Sequence, residues 1–425
     1  MHSRIAKDAT RMNDTLRTPL ALAYLVSQYP AASHTFILRE VRRLRDLGIR
    51  IDVASINSPD RPAESLAEEE REEAATTYYV KADGVRGAVR AHWATLRARP
   101  GAYAKGLLFA LRLGGTDIRK LAYSLFYFVE AVMIGDWLTG RGLGHLHVHF
   151  ATPAATVGLI AGRIFPIGFS MSVHGPDEFY DAPGYRLAEK IEGAAFICCI
   201  GYYCRSQLMK LSPPAHWSKL EIASLGVDPS AFGPRPFREH PSPFQILCVG
   251  RLVPAKGQHI LVDAVAALVR RGHDVRLRLV GGGPDRASLE AQVRRLGLGE
   301  RVVFEGVVNQ DRIRAIYAEA DCFALASFAE GIPVVLMEAM AMEIPCVTTF
   351  ITGHPELIRD GVDGVLVAPS DEAALAEAIA GLIADPERRR RLGEAGRRRV
   401  IEKYDLETNT RRLAGILRRR LGETT

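Results

Sequence analysis

Arg251 and Lys256 stand five positions apart in Gly250-Arg251-Leu252-Val253-Pro254-Ala255-Lys256-Gly257. Arginine offers a planar fork to phosphate oxygens and lysine a point charge, so the pair suits a diphosphate clamp. The plainer reading is surface charge on a loop. Further on, Val280-Gly281-Gly282-Gly283-Pro284 removes side chains where a backbone either passes close to a ligand or turns sharply into the next element. A third segment holds Glu330 and Glu338, eight positions apart, around Gly331-Ile332-Pro333-Val334. Pro333 fits a first helical turn, where its missing N–H costs nothing. Gly331 and Ile332 would then turn their amides to the positive helix end, an anion site. Ionised carboxylates only accept hydrogen bonds, so Glu330 and Glu338 suit the paired hydroxyls of a sugar or ribose. Glu338 lies among Met337, Ala339 and Met340 and should be half buried, where an acid needs a partner. Without chemistry the two are a loop Glu and a helix-surface Glu.

These segments need a frame to hold them. Short apolar runs recur along the chain: LALAYLVS, IRIDVASI, TYYV, HLHVHF, FSMSVH, FICCIG and KLEIASLG, then QILCVG, VRLRLVG, RVVFEG, CFALAS, PCVTT and GVLVA. Near-continuous Val/Ile/Leu runs indicate parallel strands covered on both faces. Helix-length amphipathic stretches separate them; between QILCVG and VRLRLVG, Leu261, Val265 and Leu268 recur at helical spacing. The fold class is therefore α/β with doubly wound sheets. In such sheets ligands lie beyond the carboxyl ends of the strands, where all three segments fall.

The chain is 425 residues long, enough for two or three domains. Residues 228–243 hold five prolines and read as a linker. They divide an N-terminal unit, 18–227, from a C-terminal unit, 244–402. Residues 1–17 read as a disordered tail, and residues 403–425 form a final Arg-rich helical stretch. Residues 84–140 break the βα rhythm with helices rich in aromatics and arginines. Two readings stand: core aromatics with arginine on the wet side, or a membrane-surface face.

Hydrophobic residues make up 48% and charged residues 24%, which is globular composition. A net charge of +6 is too small for a nucleic-acid binder built on phosphate neutralisation. The six cysteines form no CxxC pair and read as small buried hydrophobes in a reducing compartment. No signal peptide is expected, because residues 1–17 lack an apolar stretch. No spanning helix is expected either, since the nearest run is broken by Glu130 and Asp136. A cytoplasmic location follows, with peripheral contact at the inner face of the membrane as an option. His145, His147 and His149 alternate on one strand face without an evident further ligand, so no metal is expected. The acidic run at 68–73 and the arginine clusters at 388–391 and 397–399 read as solvated helix faces.

In order and spacing the motifs resemble the retaining GT-B glycosyltransferases of family 4. The match runs through Gly250–Gly257, Val280–Pro284, Phe304-Glu305-Gly306-Val307, the Glu330/Glu338 pair, Gly353-His354-Pro355-Glu356-Leu357-Ile358 and Asp360-Gly361-Val362-Asp363-Gly364-Val365-Leu366-Val367. The Tyr-Pro-x-x-Ser-x-Thr-Phe-Ile-x-x-Glu stretch beginning at Tyr29, and His145–Ala151, are similar to the branch that builds bacterial exopolysaccharides such as colanic acid. The resemblance implies two Rossmann-like domains facing a cleft, with a last helix that crosses back to the first. It implies that Arg251 and Lys256 hold the donor diphosphate, Glu338 the ribose and Glu330 the donor sugar. Backbone at Gly250, Gly282, Gly306, Val307 and Val308 would line the nucleotide, with Val307 and Val308 at the base. The amides of Gly331, Ile332 and Val334, around Pro333, would face phosphate and sugar. His174, ending a strand in Ser172-Val173-His174-Gly175, would sit beside the anomeric region.

Relatives carry paired glycines in the loop after the first strand; this chain instead has Ser33, His34 and Thr35. Ser33 is a candidate N-cap, and the loop is assigned to the acceptor side. The implied reaction moves a hexose-type sugar from a nucleoside-diphosphate sugar to a glycan or polyprenyl-linked saccharide, without metal or other cofactor. Competing readings are another GT-B enzyme (an epimerase or phosphorylase), a non-catalytic sugar-nucleotide binder, or a membrane-associated module.

Overall fold

The structure is a computed structural model describing residues 20–422; the tail at 1–17 lies outside the described residues. Two all-parallel sheets form the frame. The first has seven strands: β1 (Ala21–Gln28), β2 (Arg50–Asn57), β3 (Tyr78–Tyr79), β4 (His145–His149), β5 (Gly168–Val173), β6 (Ile197–Cys199) and β7 (Leu220–Ile222), in spatial order β3-β2-β1-β4-β5-β6-β7. The second has six: β8 (Phe244–Val249), β9 (Val275–Val280), β10 (Val302–Gly306), β11 (Cys322–Leu325), β12 (Cys346–Thr349) and β13 (Val365–Val367), ordered β10-β9-β8-β11-β12-β13. Strand order reverses between β1 and β4 and again between β8 and β11. Those reversals open crevices at the carboxyl edges.

Alternation along β1 shows why both faces are apolar. Leu22, Tyr24 and Val26 join one core cluster, Ala23 and Leu25 the other. The first cluster is roofed by helix Thr35–Asp46, through Ile37, Leu38, Val41 and Leu44, and by helix Leu406–Leu421, through Leu413, Ala414, Ile416 and Leu417. The last helix thus belongs to the second unit by sequence and to the first by packing. Asp405 caps its start by accepting from the Thr408 amide at 2.8 Å.

The arginine clusters are not simply solvated. Buried Arg389 donates to the carbonyls of Leu382, Arg238 and Glu239 and stacks on Phe237 and Phe244. Arg397 donates to Phe232, Ala341 and Pro229 carbonyls. Together they pin the proline-rich segment 228–243 along helix Pro386–Lys403. The acidic run is corrected likewise. Glu73 is buried, paired with Arg45, and accepts from the Tyr29 hydroxyl at 3.0 Å. Both misreadings have one cause: composition does not show which member of a charged run turns inward. All six cysteines are free and buried, as expected.

Residues 80–141 form three helices, Val80–Ala98, Pro100–Gly114 and Ile118–Arg141. Contrary to the sequence expectation, Ile118–Arg141 is long and apolar enough by length and composition to cross a membrane. Its Phe128, Ala131, Val132, Ile134 and Leu138 are buried in the first unit. The aromatics divide: Phe128 is core, whereas Trp93 and Phe126 are 67% and 66% exposed.

Candidate active site

The loops leaving β8 and β11 meet at the second crevice. Gly257, with φ of 60°, lets the first loop touch the Ala326 carbonyl, and the Phe328 amide donates to the Ala255 carbonyl at 2.8 Å. This brings Lys256 to Glu330, to which it donates; the Ser327 hydroxyl holds the same carboxylate oxygen at 3.0 Å. Thr352 donates to the Glu330 carbonyl. Next to Glu330, the Gly331 and Ile332 amides donate to no described residue and precede helix Val334–Ala341, with Pro333 at its N-cap. Arg251 is exposed on the same rim. Burial lowers the His34 pKa and the charge of Arg251 adds to the shift, which puts Arg251 within electrostatic reach of the Ala32–His34 turn. Lys256, Glu330, Gly331 and Arg251 therefore share one mouth.

The glycine loop divides its work. Gly281 (φ 133°) and Gly283 (φ 156°) sit against the Gly250 and Leu252 carbonyls, where a Cβ would collide. They serve loop-on-loop packing. Gly282 faces outward, with only the Val307 side chain 3.1 Å from its would-be Cβ. Val307 is 69% exposed beside Gly306, and Val308 is half-buried. Gly250 packs beside the Lys256 stem, which lies at ordinary contact distance, 3.8 Å, from its would-be Cβ.

Glu338 is more buried than expected, 6% exposed. Burial raises its pKa; Arg39 opposes the shift from 3.2 Å, and the Tyr317 hydroxyl donates at 3.2 Å. Arg39 comes from the first unit, so this carboxylate links the two units. Its neighbourhood is set by one residue from each unit, Arg39 and Tyr317, and neither carried a signal in the sequence. Nothing in its sequence motif gives Glu356 a role. Its carboxylate accepts from the Tyr202 and Tyr203 amides at 2.7 Å each, capping helix Tyr202–Lys210 across the cleft.

From the first unit, β5 delivers His174 to the cleft. A Cβ on Gly331 would collide with the His174 carbonyl oxygen, and one on Gly175 would lie 3.3 Å from the Gly331 nitrogen. The two backbones therefore meet there. The His174 turn is held by buried Glu178, which accepts from the Ala151, His174 and Gly175 amides. Burial pushes the Glu178 carboxyl up to about 7 against those hydrogen bonds and Lys190. Ser33 does not cap its helix: Ala32–His34 is a 3-10 turn, and His34 takes the N-cap position before Thr35 without a side-chain bond. The turn is tied down by Asp60, which accepts from the Ala32 amide at 2.8 Å. Among the described residues no three His, Cys, Asp or Glu converge as metal ligands.

A family model described as glycosyl transferases group 1 matches residues 234–399. The putative colanic acid biosynthesis glycosyltransferase WcaL of Escherichia coli is 25% identical over 414 residues, 94% of this chain and 99% of that protein. The GDP-mannose-dependent alpha-(1-6)-phosphatidylinositol monomannoside mannosyltransferase of Mycolicibacterium smegmatis is 33% identical over 286 residues, 63% of this chain and 74% of that one. Among solved structures, sucrose-phosphate synthase of Thermosynechococcus elongatus superposes with a TM-score of 0.74 at 19% identity, covering 95% of this chain and 100% of that one. Anabaena HepE, solved with UDP and glucose, gives 0.71 at 20% identity over 93% and 98%. The shared architecture is GT-B.

Proposed function

The chain belongs to the group 1 glycosyl transferases and is a glycosyltransferase; from that premise we propose that it moves a hexose-type sugar from a nucleoside-diphosphate sugar to a glycan or polyprenyl-linked saccharide, with retention at the anomeric carbon. The observation that carries this reading is the shared mouth of Arg251, Lys256 and the Gly331 and Ile332 amides, with Glu330 beside them. The cations and the helix N-terminus supply counter-charge for a leaving diphosphate, so no metal or other cofactor is assigned. We assign Glu330 to the sugar hydroxyls and Glu338 to the ribose. His174 accompanies the anomeric end, and the Ser33–Thr35 loop opposes it on the acceptor side. No carboxylate is assigned as a covalent nucleophile. The acceptor hydroxyl attacks from the face the diphosphate leaves, and a phosphate oxygen takes its proton.

The likeness to WcaL supports a role in bacterial exopolysaccharide or cell-surface polysaccharide biosynthesis. The relatives' names and ligands, which include HepE solved with UDP-glucose, make GDP-mannose and UDP-glucose the first donors to try. We assign the protein to the cytoplasm, touching the inner membrane face through residues 80–141. On helix Val80–Ala98 the exposed Val85, Val89, Trp93 and Leu96 form one stripe, flanked by exposed Arg86, Arg90 and Arg97. Between residues 81 and 120 the exposed charges are eight cations and one acid. Apolar side chains rimmed by cations fit an anionic bilayer. The test of the reaction is turnover across a donor panel, with the product's anomeric configuration read by NMR. Donor-dependent transfer with retention is expected; inversion, or isomerised donor without transfer, contradicts it.

A further inference from the structure

The three alternating histidines of β4 have unequal surroundings. His145 Nε2 lies 2.7 Å from the Ser170 hydroxyl. His147 is spent on serines at both nitrogens, Ser170 and Ser172, each at 2.8 Å. His149 has no serine. Its Nδ1 is 3.1 Å from His174 Nε2, and its Nε2 is 3.4 Å from Glu40 Oε1. Glu40 is itself fixed by the Tyr24 hydroxyl, which donates to Oε1 at 2.8 Å. Tyr24 packs on the His149 ring, and Phe36 and Phe150 pack on His174. His174 Nδ1 is buried and has no partner among the described residues.

We propose that Glu40 and His149 are positioning residues that fix the tautomer of His174, leaving its Nδ1 as the acceptor for a sugar hydroxyl in the cleft. Between two neutral imidazoles only one of the facing nitrogens carries the proton. If His149 kept its proton on Nδ1, its Nε2 lone pair would face the Glu40 carboxylate in a buried site without compensation. The 3.4 Å contact is longer than a well-formed hydrogen bond, yet at that range the charge still selects which nitrogen is protonated. His149 therefore carries its proton on Nε2, toward Glu40, and presents the Nδ1 lone pair. His174 must then donate from Nε2, which leaves Nδ1 bare. A bare, buried acceptor without a partner calls for a donor, and a hydroxyl O–H supplies one. The His174 carbonyl meets Gly331 at the cleft, and the hydroxyl is assigned to the ligand bound there.

This deepens the proposed reaction and rests on it only for the identity of the hydroxyl. The direct test is long-range ¹H–¹⁵N correlation on the full chain with labelled histidine, His174 being assigned by its loss in His174→Asn. In the wild type His174 is expected as the Nε2–H tautomer. His149→Phe should release it to a tautomer mixture and lower kcat/KM about tenfold, the worth of one oriented hydrogen bond. Glu40→Gln should shift the population in the same direction if the Phe variant does not fold. His149→Gln, whose amide can accept from His174 and donate to Glu40, should restore both readouts. A wild-type His174 protonated on Nδ1, or a Phe variant unchanged in tautomer and rate, overturns the proposal. If the tautomer behaves as expected but no donor is turned over, the proposed reaction fails and the positioning remains.

Discussion

Gly331→Ala isolates the closed cleft. Gly331 lies outside the left-handed region, so alanine is conformationally permitted and only space decides. Its Cβ would collide with the His174 carbonyl oxygen, 3.1 Å from the carbonyl carbon and 2.9 Å from Ile200 Cδ1. Ordinary carbon contacts begin near about 3.5 Å. Two of these three atoms are backbone of the other unit, so relief comes chiefly from separating the units. Overpacking of this kind costs about 1–3 kcal/mol, which lowers the closed population and kcat/KM by about 5- to 150-fold. Separating the two backbones relieves the clash without unpacking either sheet, so the melting temperature should fall less than the activity. Gly175→Ala is the internal comparison: its Cβ would meet the Gly331 nitrogen at 3.3 Å, a few tenths of an ångström too close, and the loss should be smaller. Steady-state transfer assays on both variants decide the matter. A Gly331→Ala enzyme with wild-type kcat/KM, or one more active than Gly175→Ala, would show that catalysis does not need this approach of the two backbones.

Trp93→Glu with Phe126→Glu should abolish co-sedimentation with phosphatidylglycerol-containing vesicles while leaving transfer to a soluble acceptor unchanged. Arg86→Glu with Arg90→Glu and Arg97→Glu should weaken binding by about 1 kcal/mol or more per charge. Equal sedimentation with purely zwitterionic vesicles would contradict the charge argument. Burial lowers the His145 pKa to about 4, against an unfolded value of about 6.5. The native state then binds fewer protons than the unfolded chain between those values, so this contribution is intact above about pH 6.5 and is lost as pH falls toward 4, about 3 kcal/mol in all. His145→Gln should flatten the acid limb of a melting-temperature profile; an unchanged limb would show that another group controls it.

Most of the frame was legible because parallel strands buried on both faces leave apolar runs that periodicity detects. Lys256, Glu330 and Gly331 were legible because a loop after such a strand has few uses for that combination of side chains. Other residues were opaque for a physical reason. Arg39 and Glu356 act across the cleft, and their sequence neighbours do not reveal which side chain on a helix will face a second sheet. By sequence Gly281 and Gly283 suit either a ligand or a turn, and in the structure both pack against the neighbouring loop. Ser33 had the right type for a cap, but the 3-10 turn before Thr35 moved that position to His34. Arg389 looks like surface charge until its carbonyl partners are seen.

Calorimetric titration of a nucleoside diphosphate and of its parent nucleoside, for uridine and guanosine alike, into the wild type, Arg251→Ala and Lys256→Ala tests the phosphate grip most directly. Each variant should lose about 1.5–3 kcal/mol of diphosphate affinity, roughly 10- to 150-fold, the worth of hydrogen bonds to a charged group. Nucleoside affinity should stay unchanged. Diphosphate binding that survives both substitutions at wild-type strength would contradict the grip and, with it, the assignment of the mouth.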